Sequence, residues 1–460
     1  MKFDIAIIGG GPGGYFASIR AAQLGKKVCL IDKGKLGGVC LNWGCIPTKA
    51  LIKNAEVYNY VKNAEKYGIK IDQVSVDFKK NIKRSRDVSN RLSKGIEYLI
   101  KKNKIVHIKG EAKLHTYKEI LVKAKNKSEI IKSEFIIIAT GARPKSFPGL
   151  EFDFKRVISS KEAMLLDSIP KKMIIIGSGA IGCEFAYYLN EFGTEVHLVE
   201  IKDRILPVED DEISKELEKS FKNSGIHIHT HSNVSKIESL KSKVKVLILK
   251  ENKEEVLEGE YALLAVGVTG NIDGIGLEKV GIKSKNGSIE INKYNQTNIP
   301  NIYAIGDVSG PPWLAHVASA QGNVSIEHAF GHDSKPLDYF NIPGCTYSQP
   351  QVGSLGITES QALNKGYNIK VGKYSFKSNG KAMATGHNHG FVKLIFDNKY
   401  GELLGAHIIG SEATELIAEL SIAKALESTW EDIAFGIHAH PTLSEAIMEA
   451  ALDAYGIGVH

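Results

Sequence analysis

Cys40 and Cys45 stand in the run Gly37-Gly38-Val39-Cys40-Leu41-Asn42-Trp43-Gly44-Cys45-Ile46-Pro47-Thr48-Lys49, a spacing that suits sulfur redox chemistry. On a regular helix their Cα atoms would be separated by about 7.5 Å of rise and 140° of rotation, hence about 8–9 Å apart. A disulfide needs Cα atoms within about 7 Å. A helix through this run must therefore begin late or distort, and Gly44 makes distortion cheap. A bond closing so short a loop constrains the unfolded chain little. It serves exchange better than stapling. Two buried thiols, or half of a metal site, are the other readings of the pair. The remaining cysteines, Cys29, Cys183 and Cys345, are scattered singly, and no Cys-x-x-Cys partner exists for zinc. No metal is expected.

Thiol exchange needs a base, because the thiolate and not the thiol attacks. Near the end of the chain comes His438-Ala439-His440-Pro441-Thr442-Leu443-Ser444-Glu445. His440 is the candidate base, and Glu445, a turn later, can orient the ring through its other nitrogen. One histidine among fifteen is more often a plain surface or core residue. His438 is read that way.

What must position these groups is an internal repeat. The first copy is Ile5-Ala6-Ile7-Ile8-Gly9-Gly10-Gly11-Pro12-Gly13-Gly14, then a helical stretch and Val28-Cys29-Leu30-Ile31-Asp32. The second is Met173-Ile174-Ile175-Ile176-Gly177-Ser178-Gly179-Ala180-Ile181-Gly182, then a helical stretch and Val196-His197-Leu198-Val199-Glu200. In both, the acid falls 23 residues after the first glycine. Gly9 and Gly177 permit the tight turn, Gly11 and Gly179 let backbone approach a pyrophosphate, and Gly14 and Gly182 let helix pack on strand. The helix start offers N–H groups and a positive dipole end to phosphate, and Asp32 and Glu200 suit the ribose hydroxyls. Two dinucleotide sites beside a dithiol imply an electron path, one site for FAD and the other for a nicotinamide. The Glu200 carboxylate would repel a 2′-phosphate, which favours NAD over NADP, although Lys202 and Arg204 follow closely. A third segment, Ile302-Tyr303-Ala304-Ile305-Gly306-Asp307-Val308, is a strand ending in glycine and aspartate that also fits a plain turn.

At 460 residues, with 43% hydrophobic and 24% charged residues, the chain reads as a globular protein of several domains. The net charge of +7 rests almost entirely on lysine, without clustered arginines and interleaved aromatics, so no nucleic-acid partner is expected. Lys79-Lys80 and Lys101-Lys102-Asn103-Lys104 read as solvated helix faces. Met1-Lys2-Phe3 runs straight into a strand with no signal or transit pattern, and no apolar run is long enough for a bilayer. No membrane partner is expected. The expected compartment is the cytoplasm, where a persisting disulfide is usually catalytic.

The cysteine run, the two fingerprints, Ala139-Thr140-Gly141-Ala142-Arg143-Pro144, Ala304-Ile305-Gly306-Asp307 and His440-Pro441-Thr442, in that order, resemble the pyridine nucleotide-disulfide oxidoreductases. The resemblance runs from Met1 to about Gly456. Within the family, the Cys-Leu-Asn-x-Gly-Cys-Ile-Pro-Thr-Lys run and Glu200 favour the members that oxidise protein-bound dihydrolipoyl groups with NAD⁺, as components of 2-oxoacid dehydrogenase and glycine cleavage systems. Asp32 stands where glutamate is commoner; one methylene shorter, it should still reach the ribose.

The resemblance implies roles. Cys45 should face the flavin as the charge-transfer thiolate, and Cys40 should form the mixed disulfide with substrate. Lys49 and Glu184 would pair beside flavin N5. Gly141, Gly306, Asp307 and Ala315 would belong to the tightly bound FAD, Asp307 at the ribityl chain and Ala315 near the pyrimidine edge; Gly267 would belong to NAD. His440 and Glu445 would come from the other subunit of a homodimer, and lipoyl domains of acyltransferase or glycine-cleavage carrier proteins would be the partners. The implied class is α/β, two Rossmann-like dinucleotide-binding domains (FAD, then NAD) followed by an α+β C-terminal dimerisation domain. The boundaries read are 1–149 for the first part of the FAD domain, 150–270 for NAD, 271–341 for the return to the FAD region, and 342–460 for the interface domain. Two rivals remain: a reductase of another disulfide such as glutathione disulfide, and a flavoprotein subunit kept mainly for assembly.

Overall fold

The computed structural model describes residues 1–124, 127–251 and 253–459. They form two compact units, the first made of residues 1–51, 77–145 and 267–337, the second of 52–76, 146–266 and 338–460.

The first unit is organised on Lys2–Ile8, whose β-branched residues are buried on both faces, as a central parallel strand requires. Val28–Asp32 and Ser128–Ile138 flank it in parallel, and Val106–Lys109 extends the sheet beyond the former. The last residues of Ser128–Ile138 pair in parallel with Ile302–Ala304, Ile136 opposite Ile302, so the chain returns to the same sheet after the second fingerprint. The first half of the same strand carries an antiparallel hairpin, Glu111–Thr116 with Glu119–Lys123. Helices Pro12–Gln23 and Ala315–Ala329 approach closely because small residues face each other; a Cβ on Gly322 would lie 3.1 Å from the Gly13 carbonyl. Helix Phe78–Lys102 starts at Asp77, whose carboxylate accepts the Lys80 N–H at 3.0 Å. It buries Phe78, Ser85, Ser89, Ser93, Ile96 and Ile100 at helical spacing and leaves Lys79, Lys80, Lys101 and Lys102 exposed, the solvated face the sequence suggested.

The second unit repeats the pattern. Lys172–Ile176 lies between Glu195–Val199 and Tyr261–Leu264, with His227–His229 and Val157–Ile158 at the edges, all parallel. Ser232–Ser239, Val244–Lys250 and Lys253–Gly259 form an antiparallel meander. A five-stranded antiparallel sheet follows in the order Gly344–Thr346, Gln351–Gly356, Leu403–Gly410, Phe391–Asp397, Ile369–Ser375. Helices Ala413–Ala425 and Glu445–Asp453 cover it over a core that includes Leu355, Phe376, Phe396, Ile408, Ile417 and Ile447. No helix among the described residues is long and apolar enough to cross a membrane.

Candidate active site

The cysteine run folds as two helices with a break between the sulfurs. Gly38–Trp43 ends at Gly44, where φ is −145° and ψ −114°, and Cys45–Lys62 begins on the next residue. The distortion demanded by the spacing falls at the glycine that makes it cheap. Cys40 is half-buried and Cys45 exposed, both in the thiol form, and the two side chains are hydrogen-bonded to each other. That bond, then burial, pushes the Cys40 thiol far above its ordinary range, while the nearby Lys49 charge acts in the opposite direction. The pair therefore surrenders one proton far more readily than two. Cys45 stands at the first turn of an 18-residue helix, whose amide groups and dipole favour an anion.

The run is fixed by residues that sequence reasoning passed over. Asn42 is buried and donates to the carbonyls of Leu36 (3.1 Å) and Gly38 (2.9 Å). Arg86 Nη1 donates to the Asn42 carbonyl at 2.6 Å, and its guanidinium lies 5.0 Å from the Trp43 ring centre. Ser93 Oγ donates to the Leu36 carbonyl at 2.8 Å. The signal available was an arginine and a serine ladder on a lysine-rich helix. Tyr15, on the first fingerprint helix, is close enough that burial and then charge on Cys40 raise its hydroxyl above the usual range.

The two fingerprints make the same close contacts at their first and third glycines. Gly9 has φ +109° and Gly177 φ +98°, and a Cβ there would sit 2.1 Å from the Ala139 carbonyl oxygen and 2.4 Å from that of Ala265. Gly14 and Gly182 pack so tightly that a Cβ would meet the Gly9 and Gly177 carbonyls at 1.8 and 1.9 Å. Gly11 and Gly179 are the N-caps of the two helices. Beside the first fingerprint a cavity of about 430 Å³ is lined by Gly9, Asp32, Thr140, Arg143 and Asn271 among others. Beside the second, one of about 530 Å³ is lined by Gly177, Gly179, Glu200 and Val266, one residue before Gly267. Both sizes suit a nucleotide moiety. Asp32 accepts the N–H groups of Gly10 and Gly34, each at 2.6 Å. Glu200 is buried and takes the N–H and Oγ–H of Ser178.

The segment after Ile302–Ala304 adds a third element. Gly306 has φ +71° and donates its N–H to Gln321 Oε1 at 2.6 Å. The half-buried Asp307 carboxyl has no hydrogen-bond partner among the described residues, and desolvation alone raises its pKa. An orphaned acid next to the start of the Ala315–Ala329 helix fits a polyhydroxyl chain ending in a heterocycle, so these residues suit FAD. Gly141, with φ +69°, begins the turn in which Asn271 donates to the Thr140 carbonyl.

In the second unit His440 Nδ1 is 2.8 Å from Glu445 Oε1 and the ring is 77% exposed, its Nε2 free among the described residues. His438, by contrast, is tied to Glu419 at 2.7 Å and to the Gly436 carbonyl, in keeping with a structural role. Glu184 is buried in the second fingerprint helix and accepts the Tyr347 N–H at 3.1 Å.

The chain matches two family models, pyridine nucleotide-disulphide oxidoreductase over residues 3–322 and the dimerisation domain of the same family over 342–451. It is 45% identical to a dihydrolipoyl dehydrogenase of Zymomonas mobilis, covering 100% of this chain and 99% of that one. It is 42% identical to one of Bacillus subtilis with the same coverage. Among solved structures, LpdA from Mycobacterium tuberculosis superposes with a TM-score of 0.92 at 26% identity, over 98% of this chain and 99% of that one. The HOCl-induced flavoprotein disulfide reductase RclA from Escherichia coli, solved as a Cu(II) complex, gives 0.88 at 25%, with the same coverage. Glycine fingerprints, paired thiols and full-length similarity agree: the chain belongs to the pyridine nucleotide-disulphide oxidoreductases.

Proposed function

We propose that the protein is a homodimeric flavoenzyme that oxidises dihydrolipoyl groups by the reaction dihydrolipoyl group + NAD⁺ → lipoyl group + NADH + H⁺. The observation that carries this reading is the contact between the Cys40 and Cys45 thiols at the head of a helix, beside Lys49. Thiols so placed are the reduced half of a disulfide couple. The full-length similarity to dihydrolipoyl dehydrogenases supplies the substrate.

In the oxidised enzyme His440 Nε2 takes the proton of one substrate thiol, and Glu445 keeps Nε2 as the acceptor by holding Nδ1–H. The substrate thiolate attacks Cys40 Sγ, breaking the Cys40–Cys45 bond and leaving the electron pair on Cys45. The second substrate sulfur attacks the substrate sulfur of the mixed disulfide and closes the lipoyl ring, Cys40 leaving as a thiolate that takes up this sulfur's proton while His440 keeps the first. Bound FAD would supply the two-electron acceptor between the dithiol and NAD⁺. The first fingerprint, Asp32, Gly141, Gly306, Asp307 and Ala315 would hold FAD, with Lys49 and Glu184 near the ring. Gly177, Gly179, Gly182, Glu200 and Gly267 would hold NAD.

The domain assignment that goes with this reading is 1–149 and 271–341 for FAD, 150–270 for NAD and 342–460 for the subunit interface. His440 lies in the segment matched by the dimerisation model, which also exposes Ile422, Leu426, Phe435 and Ile437 in the single chain, as an interface would. A second copy would cover these side chains and bring His440 to its dithiol. The partners would be lipoyl domains of acyltransferase or glycine-cleavage carrier proteins, met in the cytoplasm, where thiols such as Cys29 and Cys183 stay reduced.

Anaerobic reduction with dihydrolipoamide tests the assignment. A long-wavelength absorption band should appear, persist in Cys40→Ser and vanish in Cys45→Ser; the opposite pattern would reverse the two roles. Faster NADH-dependent turnover of glutathione disulfide than of lipoamide would defeat the substrate.

A further inference from the structure

Two neighbouring strands of the second unit carry an alternation of imidazoles that neither cavity uses. Glu195 and His197 lie on Glu195–Val199, and His227 and His229 on the edge strand His227–His229. The register sets His197 opposite His227 and Val199 opposite His229. Alternate residues of a strand share a face, and the three rings form one stack. His197 and His227 have centroids 4.6 Å apart at 21°, His197 and His229 5.2 Å apart at 19°.

The nitrogens are arranged as a metal would need them. His197 Nε2 lies 3.0 Å from Glu195 Oε1, and one ligand atom each from Glu195, His197 and His227 fall within 4.8 Å of one another. His197 Nδ1 meets His229 Nε2 at 2.9 Å. A ligating histidine usually donates its other N–H to an acceptor that fixes tautomer and ring orientation, and His229 is placed to be that acceptor. A simple hydrogen-bonded ladder would explain His197 and His229. It leaves the exposed His227, with no hydrogen-bond partner among the described residues, unexplained. Lys172 Nζ, 2.8 Å from Glu195 Oε1 on a half-buried side chain, shows that Glu195 already attracts a cation there.

We propose that Glu195, His197 and His227 bind a divalent transition ion of the Zn²⁺ class, with His229 orienting His197 and water completing the tetrahedron. Binding would require the side chains to rotate so that two nitrogens and one carboxylate oxygen converge to the ~2.0–2.2 Å bond lengths zinc takes. Sequence spacing did not reveal the set, because its halves come from separate strands and contain no cysteine. The ion would clamp the edge strand to its neighbour. Val199 and Glu200, at the end of one strand, and Ser232 to Val234, after the other, line the second nucleotide cavity, so the clamp would brace that wall.

Zn²⁺ titrated calorimetrically into the air-oxidised holoenzyme tests this, with thermal unfolding as a second readout. The expected result is about one Zn²⁺ per chain and a higher unfolding midpoint. Glu195→Gln and His227→Gln, both at exposed positions, should abolish saturable binding with turnover retained, and His229→Gln should weaken it about tenfold or more. Lys172→Gln should tighten it. Saturable binding that survives His227→Gln, that is lost only in Cys40→Ser, or that never appears would each overturn the proposal.

Discussion

Glu445 is clamped from both sides: its Oε1 lies 2.8 Å from His440 Nδ1, and its Oε2 accepts the N–H of Thr442, also at 2.8 Å. The Thr442 bond first, and then the bond from His440, hold the carboxyl below its usual range. It also opens the Glu445–Asp453 helix, where an anion is favoured. The orienting charge is thus fixed by backbone, independently of the ring it steers. His440→Gln should lower turnover of dihydrolipoamide by about 10²–10⁴-fold, the range for a positioned base. NADH-dependent reduction of a dye that bypasses thiol exchange should be unchanged. Glu445→Gln should cost less, and the double variant no more than His440→Gln alone, because the pair acts as one unit. Additive losses in steady-state assays would contradict that coupling.

The two fingerprints should fail independently. A Cβ on Gly14 would overlap the Gly9 carbonyl and one on Gly182 the Gly177 carbonyl, so neither helix can dock without moving. Gly14→Ala should yield protein lacking the yellow flavin spectrum. Gly182→Ala should keep the colour and raise KM for NAD⁺. Visible absorbance and NAD⁺ titration separate the outcomes; loss of colour in Gly182→Ala would break the assignment of cofactors to copies.

Much of this was legible in the chain, and the reason is locality. Gly9 to Asp32 and Gly177 to Glu200 are single supersecondary units whose turn, helix start and acid all lie within one short stretch. The break at Gly44 followed from helix geometry alone. What remained hidden depends on pairing across distance. The arginine and serines of the Phe78–Lys102 helix stand out locally, but nothing near Arg86 names its partner, the Asn42 carbonyl. Nothing in Ser128–Ile138 says that its two halves take different neighbours on one side, the hairpin strand Glu119–Lys123 and the returning strand Ile302–Ala304. Lys393 is the sharpest case: a lysine in an apolar strand, 1% exposed, neutralised by acids from remote segments.

Glu200 is a carboxylate that shapes the fold while lining the second cavity. Its Oε2 accepts the Ser178 N–H at 2.9 Å and Oγ–H at 2.8 Å, and its Oε1 the Lys202 N–H at 2.9 Å, so the acid itself shapes the turn beside the cavity. Glu200→Ala would strand these donors, two of them buried, at a cost of about 1–3 kcal/mol. The unfolding midpoint in urea should fall accordingly. KM for NAD⁺ should rise and the preference over NADP⁺ narrow, since the charge that repels a 2′-phosphate is gone. An unchanged NADP⁺ to NAD⁺ ratio of kcat/KM would mean that selectivity resides elsewhere.

Lys393 and Asp210 form a buried ion pair that two half-exposed acids, Glu212 and Glu359, extend to the surface. Its Nζ is 2.9 and 3.0 Å from the two oxygens of Asp210 and 2.7 Å from both Glu212 Oε2 and Glu359 Oε2. Asp210 caps the helix Asp211–Asn223, so the cluster ties that helix to the strand Phe391–Asp397. Burial works against the charged lysine, yet the three carboxylates outweigh it and raise Lys393 above its ordinary range. Burial likewise works to raise Asp210 and Glu212, and the lysine hydrogen bonds outweigh it, bringing both below the usual carboxylate range. The carboxylates therefore contribute stability above their unfolded values, near ~4, and lose it as pH falls through the depressed folded values. The lysine's share is complete below its unfolded value, near ~10.4, and lost only as pH rises through the raised one. Lys393→Met leaves the buried Asp210 without its cation, while Glu212 keeps Lys373 and Glu359 reaches solvent, and the loss of the buried partner should cost about 3–5 kcal/mol at pH 7. The deficit should already shrink as pH falls toward about 4, because burial without the lysine raises Asp210 in the variant above its unfolded value, and Asp210→Asn in the same chain should restore part of the loss. Urea unfolding at neutral and acid pH measures both effects. A deficit that does not change with pH would show that lost packing, not unpaired charge, is what the substitution exposes.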